Sequence, residues 1–255
     1  MNNSPMKRKL QAYCVGMGRT GTRSMAGIFS TSYKAAHEPH TKELLAIITA
    51  AQKGSISRQD FKKYVLYLDN KLQLEFNSSF FNKWLLEVLL TEFPNAKFIL
   101  TIRDCYSWLN SSINALFFGR SKIPNEFDDF INTIMEQESY RHAKNQPVMY
   151  KNGSYRLDGL LSYWAKINNE ILATVPRSRL LVVKTHEINS SIREIADFLN
   201  IHPKTLDLTK SHMNKSIKNI DVLSKVDKDY LSSIVNLHCK DLMDKYFPGF
   251  VYPFE

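Results

Sequence analysis

Residues 13–24 read YCVGMGRTGTRS, and this stretch decides the fold that the chain adopts. A short apolar run ends in three glycines, two arginines and three hydroxyl side chains, and a helical pattern of apolar residues follows at once. Glycines allow backbone N–H groups to turn towards one point, and a helix N-terminus adds unpaired donors and the positive end of a dipole. The stretch therefore predicts a strand, a loop and a helix start that together bind a phosphate-like anion.

Two nucleotide-binding motifs compete for this loop. A Walker-type loop needs a lysine where this chain has Thr22, so a conventional ATPase or GTPase is disfavoured. The three glycines match the dinucleotide fingerprint G-x-G-x-x-G, and Glu38 follows roughly where a ribose-binding acid occurs. That pattern predicts a nicotinamide-dependent oxidoreductase, although Arg19 is an unusual residue inside such a loop.

A second motif lies at residues 97–104, KFILTIRD, an apolar strand pattern that ends near Arg103. Ser111 follows on the next helical pattern. A strand-end arginine and a serine two turns into a helix can converge on one anion if the helix folds back beside the strand end. A plain dinucleotide-binding fold has no need for a second anion site, so this pair of motifs discriminates between the alternatives.

Together the two motifs resemble the sulfotransferase superfamily that uses 3′-phosphoadenosine 5′-phosphosulfate (PAPS). Residues 19–22, RTGT, are similar to its R-[ST]-G-T signature, and Arg103 with Ser111 is similar to its 3′-phosphate site. Residues 180–188 and 195–199 are similar to its late strand and the helix after it. The resemblance implies an α/β fold of three α/β/α layers, with a central parallel sheet and a P-loop-like phosphosulfate loop.

The resemblance also assigns residues to the nucleotide. Arg19 is expected to stabilise the leaving phosphate, because a guanidinium brings a fixed charge and a forked set of donors. The residues expected to line the phosphosulfate pocket are Gly18, Arg19, Thr20, Gly21, Thr22, Arg23 and Ser24. Those expected around the rest of the nucleotide and its product, adenosine 3′,5′-bisphosphate (PAP), are Arg103, Ser111, Tyr155, Asn214 and Lys215.

Three titratable residues, His37, Glu38 and His40, follow the second predicted strand. Since the carboxyl ends of parallel strands meet at one edge of a sheet, this cluster should lie near the phosphate loop. In-line sulfuryl transfer needs stabilisation of the leaving phosphate and removal of the acceptor's proton, and it does not require a metal. We predict Glu38 as the catalytic base, followed by His37 and then His40. The alternative interpretation is a polar strand end with exposed side chains.

The acceptor is not named by the sequence. A hydroxyl or amine of a small molecule, a lipid or a carbohydrate is compatible with this chemistry. Some aromatic and apolar residues line either an acceptor pocket or the core: Phe117, Phe118, Phe127, Phe130, Met149 and Tyr150. Trp84, Trp108 and Trp164 are expected in the core, and His186 is expected to be structural. A nucleotide-binding protein that lacks a base is a third alternative.

The composition is typical of a globular protein. Of 255 residues, 44% are hydrophobic and 23% are charged, which together with the length predicts one large α/β domain. The resemblance implies that residues 1–255 form a single sulfotransferase domain, with a flexible tail expected at 1–9. The net charge of +9 attracts polyanions, and a charged nucleotide explains part of it. The sequence has no zinc-ligand spacing and no RNA-binding aromatic signature, so nucleic acid is not expected as a partner. Three widely spaced cysteines indicate reduced thiols and a cytoplasmic location.

Strand-like and helical patterns alternate along the chain. Strands are predicted at 11–16, 33–36, 72–76, 97–102 and 180–184, and a terminal helix at 227–246. This alternation predicts a parallel sheet that helices cover on both faces. No apolar stretch approaches the ~20 residues of a membrane-spanning helix, so no integral membrane segment is expected. The sequence does not indicate an oligomeric state.

Overall fold

The computed structural model describes residues 8–119, 129–130, 134, 156–211 and 223–251. The chain divides into two compact units, one of Met1–Ile102 and Glu170–Lys215, the other of Arg103–Asn169 and Ser216–Glu255. This division does not test independent folding, so the single sulfotransferase domain stays a prediction. Three predicted nucleotide-binding residues lie outside the described residues: Tyr155, Asn214 and Lys215.

The strands are short and the helices between them are longer. The strands are β1 (Ala12–Cys14), β2 (Ala35–His37), β3 (Phe76–Ser78), β4 (Lys97–Ile102) and β5 (Leu180–Lys184). The helices of the described ranges are α1 (Thr22–Phe29), α2 (Thr41–Gln52), α3 (Arg58–Leu72), α4 (Asn82–Glu92), α5 (Cys105–Gly119), α6 (Leu157–Thr174), α7 (Ile192–Leu199), α8 (Lys228–His238) and α9 (Lys240–Tyr246).

The five strands of the described residues all belong to the first unit and form one parallel sheet in the order β2-β3-β1-β4-β5. Successive residues of a strand face opposite sides of the sheet. Accordingly, Cys14 of β1 packs in one buried cluster with Met25 of α1 and Ile195 of α7. Tyr13 lines a pocket on the other face with residues of α3 and α4, including Leu68 and Leu85. Helices thus cover both faces, which confirms the predicted three-layer α/β fold.

Three predicted element boundaries are wrong. The third strand lies at Phe76–Ser78 and not at 72–76, because α3 continues to Leu72 and ends at Gln73, whose left-handed φ of 47° lets its N–H reach Asp69 O at 2.8 Å. The second strand is likewise shifted, to Ala35–His37. The predicted terminal helix is divided into α8 and α9, with Cys239 between them.

The remaining composition-based expectations concern cysteines, metals and membranes. The three cysteines, all in described segments, are buried and form no disulfide with one another. Over the same segments, no group of three or more His, Cys, Asp or Glu side chains could hold a metal ion. None of the described helices has the length and apolar character needed to cross a bilayer.

Candidate active site

The loop after β1 lies directly against β4, and this close approach requires a glycine. A Cβ atom added to Gly16 would lie 2.0 Å from Thr101 Oγ1, which is far inside van der Waals contact. The Thr20 hydroxyl lies 2.9 Å from Thr101 Oγ1 and donates to the carbonyl oxygen of Met17 at 2.7 Å. Buried hydrogen bonds therefore close the loop from inside and hold it to the neighbouring strand.

The end of β5 holds the loop from a second side. The Thr185 hydroxyl lies 2.8 Å from the carbonyl oxygen of Thr20 and 3.1 Å from that of Ile102, and it can donate to either. Gly21 has a left-handed φ of 93°, and a Cβ there would lie 2.7 Å from Ile188 Cδ1. The sequence analysis did not identify Thr101 and Thr185 as residues of this site. Both are hydroxyl residues at or near strand ends, and this position is the signal that could have identified them.

Two arginines place positive charge at the start of α1. Arg19 is half-buried and has a left-handed φ of 70°, while Arg23 is exposed. Burial lowers the pKa of Arg19, and the charge of Arg23 lowers it further. Like charges that repel each other in a partly desolvated position are stabilised by an anion between or beside them. The loop is therefore electrostatically suited to a phosphate or sulfate group.

The predicted pocket residues do not all have the same role. Thr20 is fully buried and its hydroxyl is engaged within the loop, as described above. Gly18 is half-buried with open space where a Cβ would be, and Ser24 is half-buried on the first turn of α1. Gly18 and Ser24 consequently have accessible surface beside the N-terminus of α1, the end of a helix that favours an anion. Contact of each residue with a nucleotide stays a prediction.

The predicted base cluster meets the loop through one hydrogen bond. His37 ends β2, and its Nε2 lies 3.1 Å from the Thr22 hydroxyl oxygen. The same Nε2 lies 3.6 Å from Glu38 Oε1. The Ser78 hydroxyl of β3 donates to the Thr22 carbonyl oxygen at 2.7 Å, which fixes the backbone of Thr22 over the end of β3. Two of the three candidate bases are thus brought to the start of α1.

The two other histidines considered in the sequence analysis have different partners. His40 precedes α2, and its Nδ1 lies 3.2 Å from Glu43 Oε1 on the first turn of that helix. His186 is mostly exposed in the short turn after β5, with its Nε2 3.4 Å from Glu187 Oε1. Within the described contacts, His40 is therefore less closely joined to the loop than His37 and Glu38 are.

The backbone at Glu38 is strained and held in place. Its φ is 48°, a left-handed value that costs a non-glycine residue on the order of 1–3 kcal/mol. The Glu38 N–H donates to Ser78 O at 2.9 Å, and the Thr41 hydroxyl donates to Glu38 O at 2.8 Å. Arg19 and His40 also have positive φ values. Such backbone outliers cluster at functional sites, so their concentration here supports a functional role.

Burial sets the protonation of the two candidate bases. It lowers the pKa of His37 to about 4, and the charge of Arg23 acts in the same direction. His37 is therefore neutral near pH 7 and can accept a hydrogen bond or a proton. Burial raises the pKa of Glu38, while Arg23 acts in the opposite direction. A partly desolvated carboxylate beside a neutral imidazole is a suitable general base.

The predicted 3′-phosphate residues belong to the second unit. Arg103 follows β4 directly, and its carbonyl oxygen accepts a hydrogen bond from Trp164 Nε1 at 3.1 Å. Asp104 Oδ1 accepts from the N–H of Ser107 at 2.8 Å and so caps the start of α5. Ser111 lies two turns further along that helix, and both Arg103 and Ser111 are half-buried. Their role as an anion site stays a prediction.

Fold and site together describe an α/β protein in which the glycine loop after β1 meets His37 and Glu38 at the end of β2. A family model described as a sulfotransferase domain matches residues 11–216. Because this match spans most of the chain, the chain belongs to that sulfotransferase family, as the resemblance of its two motifs predicts.

Solved structures agree with this assignment at the level of the fold. A sulfotransferase from Alicyclobacillus acidocaldarius is similar with a TM-score of 0.51 and 14% identity, over 93% of this chain and 96% of that one. A sulfotransferase from Mycobacterium avium is similar with a TM-score of 0.51 and 14% identity, over 96% of this chain and 78% of that one. A search of curated proteins found no match.

The oxidoreductase alternative is not favoured. In a dinucleotide-binding fold the strand that carries the ribose-binding acid lies next to the strand that carries the glycine loop. Here β3 lies between β2, which leads to Glu38, and β1, which leads to the loop. The sequence thus matches G-x-G-x-x-G, but the sheet lacks the strand order of a dinucleotide-binding fold.

Two glycines of the loop provide a matched test of the packing against β4. Gly16→Ala is expected to lower the free energy of unfolding by at least about 2 kcal/mol, since the added methyl group would overlap Thr101. Gly18→Ala adds the same methyl group in open space and is expected to change stability by less than about 0.5 kcal/mol. Denaturant unfolding measures both. Equal stabilities of the two variants would contradict the proposed packing constraint.

The lowered pKa of His37 predicts a specific pH dependence of stability. Between its ordinary value of 6.5 and about 4, the unfolded chain binds a proton at His37 that the folded chain does not. Stability from this group is therefore present at neutral pH and is lost as the pH falls through that window.

The comparison of wild type with His37→Gln isolates this contribution. Between neutral pH and about pH 4.5, the free energy of unfolding of the wild type should fall by about 2–3 kcal/mol more than that of the variant. Denaturant unfolding at both pH values measures it. A difference that does not depend on pH would show that burial does not depress the pKa of His37.

Proposed function

We propose that this chain transfers the sulfuryl group of PAPS to a hydroxyl or amine of an acceptor. The observation that carries the proposal is the hydrogen bond between Thr22 of the loop and His37 of the base cluster. It joins an anion-binding loop to a proton acceptor, which are the two components that group transfer from a phosphosulfate needs. The family match supports sulfuryl transfer as the reaction class.

The loop and the start of α1 are proposed to bind the 5′-phosphosulfate. Gly18, Gly21 and Ser24 lie where backbone N–H and hydroxyl groups can donate to its oxygens. Arg19, with Arg23 beside it, stabilises the negative charge that develops on the leaving phosphate. The repulsion between the two guanidinium groups is an observation that fits a multiply charged nucleotide. Arg103 and Ser111 are proposed to bind its 3′-phosphate.

The proposed reaction is a single in-line displacement. A lone pair of the acceptor oxygen or nitrogen forms a bond to sulfur while the bond between sulfur and the bridging phosphate oxygen breaks. The acceptor's proton passes to Glu38, and the electron pair of the broken bond stays on the phosphate of PAP. His37, held neutral by burial, orients Glu38 or takes the proton in its place. No residue of the chain is oxidised or reduced in this step.

The proposal also includes the class of acceptor, the absence of a metal requirement and the location of the protein. The acceptor class is a small molecule, a lipid or a glycan, and nucleic acid is not expected as a partner. The step as written requires no metal. A cytoplasmic location is part of the same proposal.

PAP binding tests the donor half of the proposal. Wild type is expected to bind PAP with micromolar affinity in a calorimetric titration, and Arg103→Ala to weaken binding by about 2–5 kcal/mol through loss of a charge-assisted contact. Arg177→Ala is the control, because Arg177 is exposed in the turn before β5. NADH is titrated in parallel. Binding of NADH without any binding of PAP would refute the proposal and restore the oxidoreductase alternative.

Glu38→Gln tests the base. Removal of a positioned general base is expected to lower kcat by about 10²–10⁴-fold. PAP affinity should change little, because Glu38 is not proposed to contact the nucleotide. Glu194→Gln is the control, since Glu194 is an exposed carboxylate on the first turn of α7. The measurement is transfer of radiolabelled sulfate from PAPS. Wild-type turnover by Glu38→Gln would exclude Glu38 as the base.

A further inference from the structure

The turn between β4 and α5 carries the residues proposed to bind the 3′-phosphate. Arg103 directly follows β4, and the Asp104 carboxylate caps α5 by accepting from Ser107 N–H at 2.8 Å. The N–H of Trp108 donates to the Asp104 carbonyl oxygen at 2.9 Å, which begins the hydrogen bonds of the helix backbone. Asp104 is therefore fixed on α5. Since a peptide unit is planar, the peptide that joins Arg103 to Asp104 decides how Arg103 is oriented relative to Ser111 on that helix.

A buried tryptophan holds this peptide. Trp164 Nε1 of α6 donates to the Arg103 carbonyl oxygen at 3.1 Å. An indole nitrogen can only donate, and a buried donor that loses its acceptor destabilises the protein. Because Trp164 is fully buried, rotation of the Arg103 peptide away from the indole is disfavoured.

The tryptophans expected in the core differ in burial. Trp108 and Trp164 are buried, whereas Trp84 is half-buried, so that expectation is only partly correct. Trp164 lies on a face of α6 whose buried residues recur at helical spacing: Leu157, Leu160, Leu161, Trp164 and Asn168. Its position in the core therefore follows from the sequence pattern of the helix, while its hydrogen bond to Arg103 does not.

The position of the indole relative to α5 is also fixed. The Cys239 thiol donates to the Leu161 carbonyl oxygen of α6 at 3.7 Å. At the start of α5, the Cys105 N–H donates to Met243 Sδ at 3.4 Å. Cys239 immediately precedes α9 and Met243 belongs to it. Both α5 and α6 are thus anchored at α9, which keeps Trp164 in place beside the start of α5.

We infer that Trp164 is a positioning residue for the nucleotide, whose indole N–H fixes the Arg103 peptide so that the Arg103 guanidinium and the Ser111 hydroxyl bind the same 3′-phosphate. This inference rests on the proposed function and adds a residue to its donor site. A guanidinium binds phosphate through a fork of defined geometry, so its affinity depends on its direction. Binding groups need to be held within about 0.5 Å of the productive geometry, and buried hydrogen bonds to the backbone achieve this.

Two properties distinguish this role from that of an ordinary core residue. If Trp164 only fills space, a ring of the same shape without the N–H group preserves nucleotide binding. If it positions Arg103, loss of the N–H group alone weakens binding. The effect is then confined to nucleotides with a 3′-phosphate, because that phosphate is the group that Arg103 is proposed to bind.

The test removes the N–H group and keeps the shape of the ring. Trp164→benzothienylalanine, introduced into the full chain with an expanded genetic code, has sulfur in place of the N–H group. In a calorimetric titration its affinity for PAP should be about three- to tenfold lower than that of wild type, the contribution of one hydrogen bond. Its affinity for adenosine 5′-phosphosulfate, which lacks the 3′-phosphate, should not change. Trp164→Phe should weaken PAP binding with the same selectivity.

Leu160→Val is the control, because Leu160 is fully buried one turn earlier on α6. This substitution should lower the free energy of unfolding, measured with denaturant, and leave the ratio of the two nucleotide affinities unchanged. The inference is overturned if the benzothienylalanine variant binds PAP as tightly as wild type does, or if it loses affinity for both nucleotides equally. An equal change of the ratio in Leu160→Val would also overturn it. Absence of PAP binding in the wild type refutes the proposed function, and the inference with it.

Discussion

The close approach of the phosphate loop to β4 is the constraint on which the site depends. At Gly16 the backbone lies so near Thr101 that no side chain can be accommodated. The Thr185 hydroxyl then connects the loop with the ends of β4 and β5. A loop held on two sides keeps the first turn of α1 at the carboxyl edge of the sheet. In the proposed function, this rigidity preorganises the loop for the phosphosulfate group.

Electrostatics couples this loop to the base cluster. Burial is the main cause of the pKa shifts in this region, since it lowers the pKa of Arg19 and of His37 and raises the pKa of Glu38. The charge of Arg23 acts in the lowering direction on all three pKa values. One exposed side chain therefore influences both the loop and the base cluster.

Strand order distinguishes this chain from a dinucleotide-binding protein with the same glycine spacing. The same glycine spacing occurs in dinucleotide-binding proteins, but there the strands of the loop and of the acid are neighbours. In this chain β3 lies between them, so that β1 and β2 are about 10 Å apart. The start of α1 extends over the end of β3, where Ser78 donates to the Thr22 carbonyl oxygen, and the Thr22 hydroxyl lies 3.1 Å from His37 Nε2. The glycine loop and the residues proposed as bases are therefore joined across β3.

The sequence by itself determined the fold class, the family resemblance and the positions of the loop and of Glu38, because these depend on local glycine spacing and on strand–helix alternation. Tertiary structure decided the rest. Thr101 and Thr185 became part of the site only through contacts between strands distant in the chain. The third strand was misplaced because Leu72 belongs to a helix whose end depends on the left-handed conformation of Gln73. Strand order, and with it the contact between Thr22 and His37, follows from packing between elements, which no local pattern encodes.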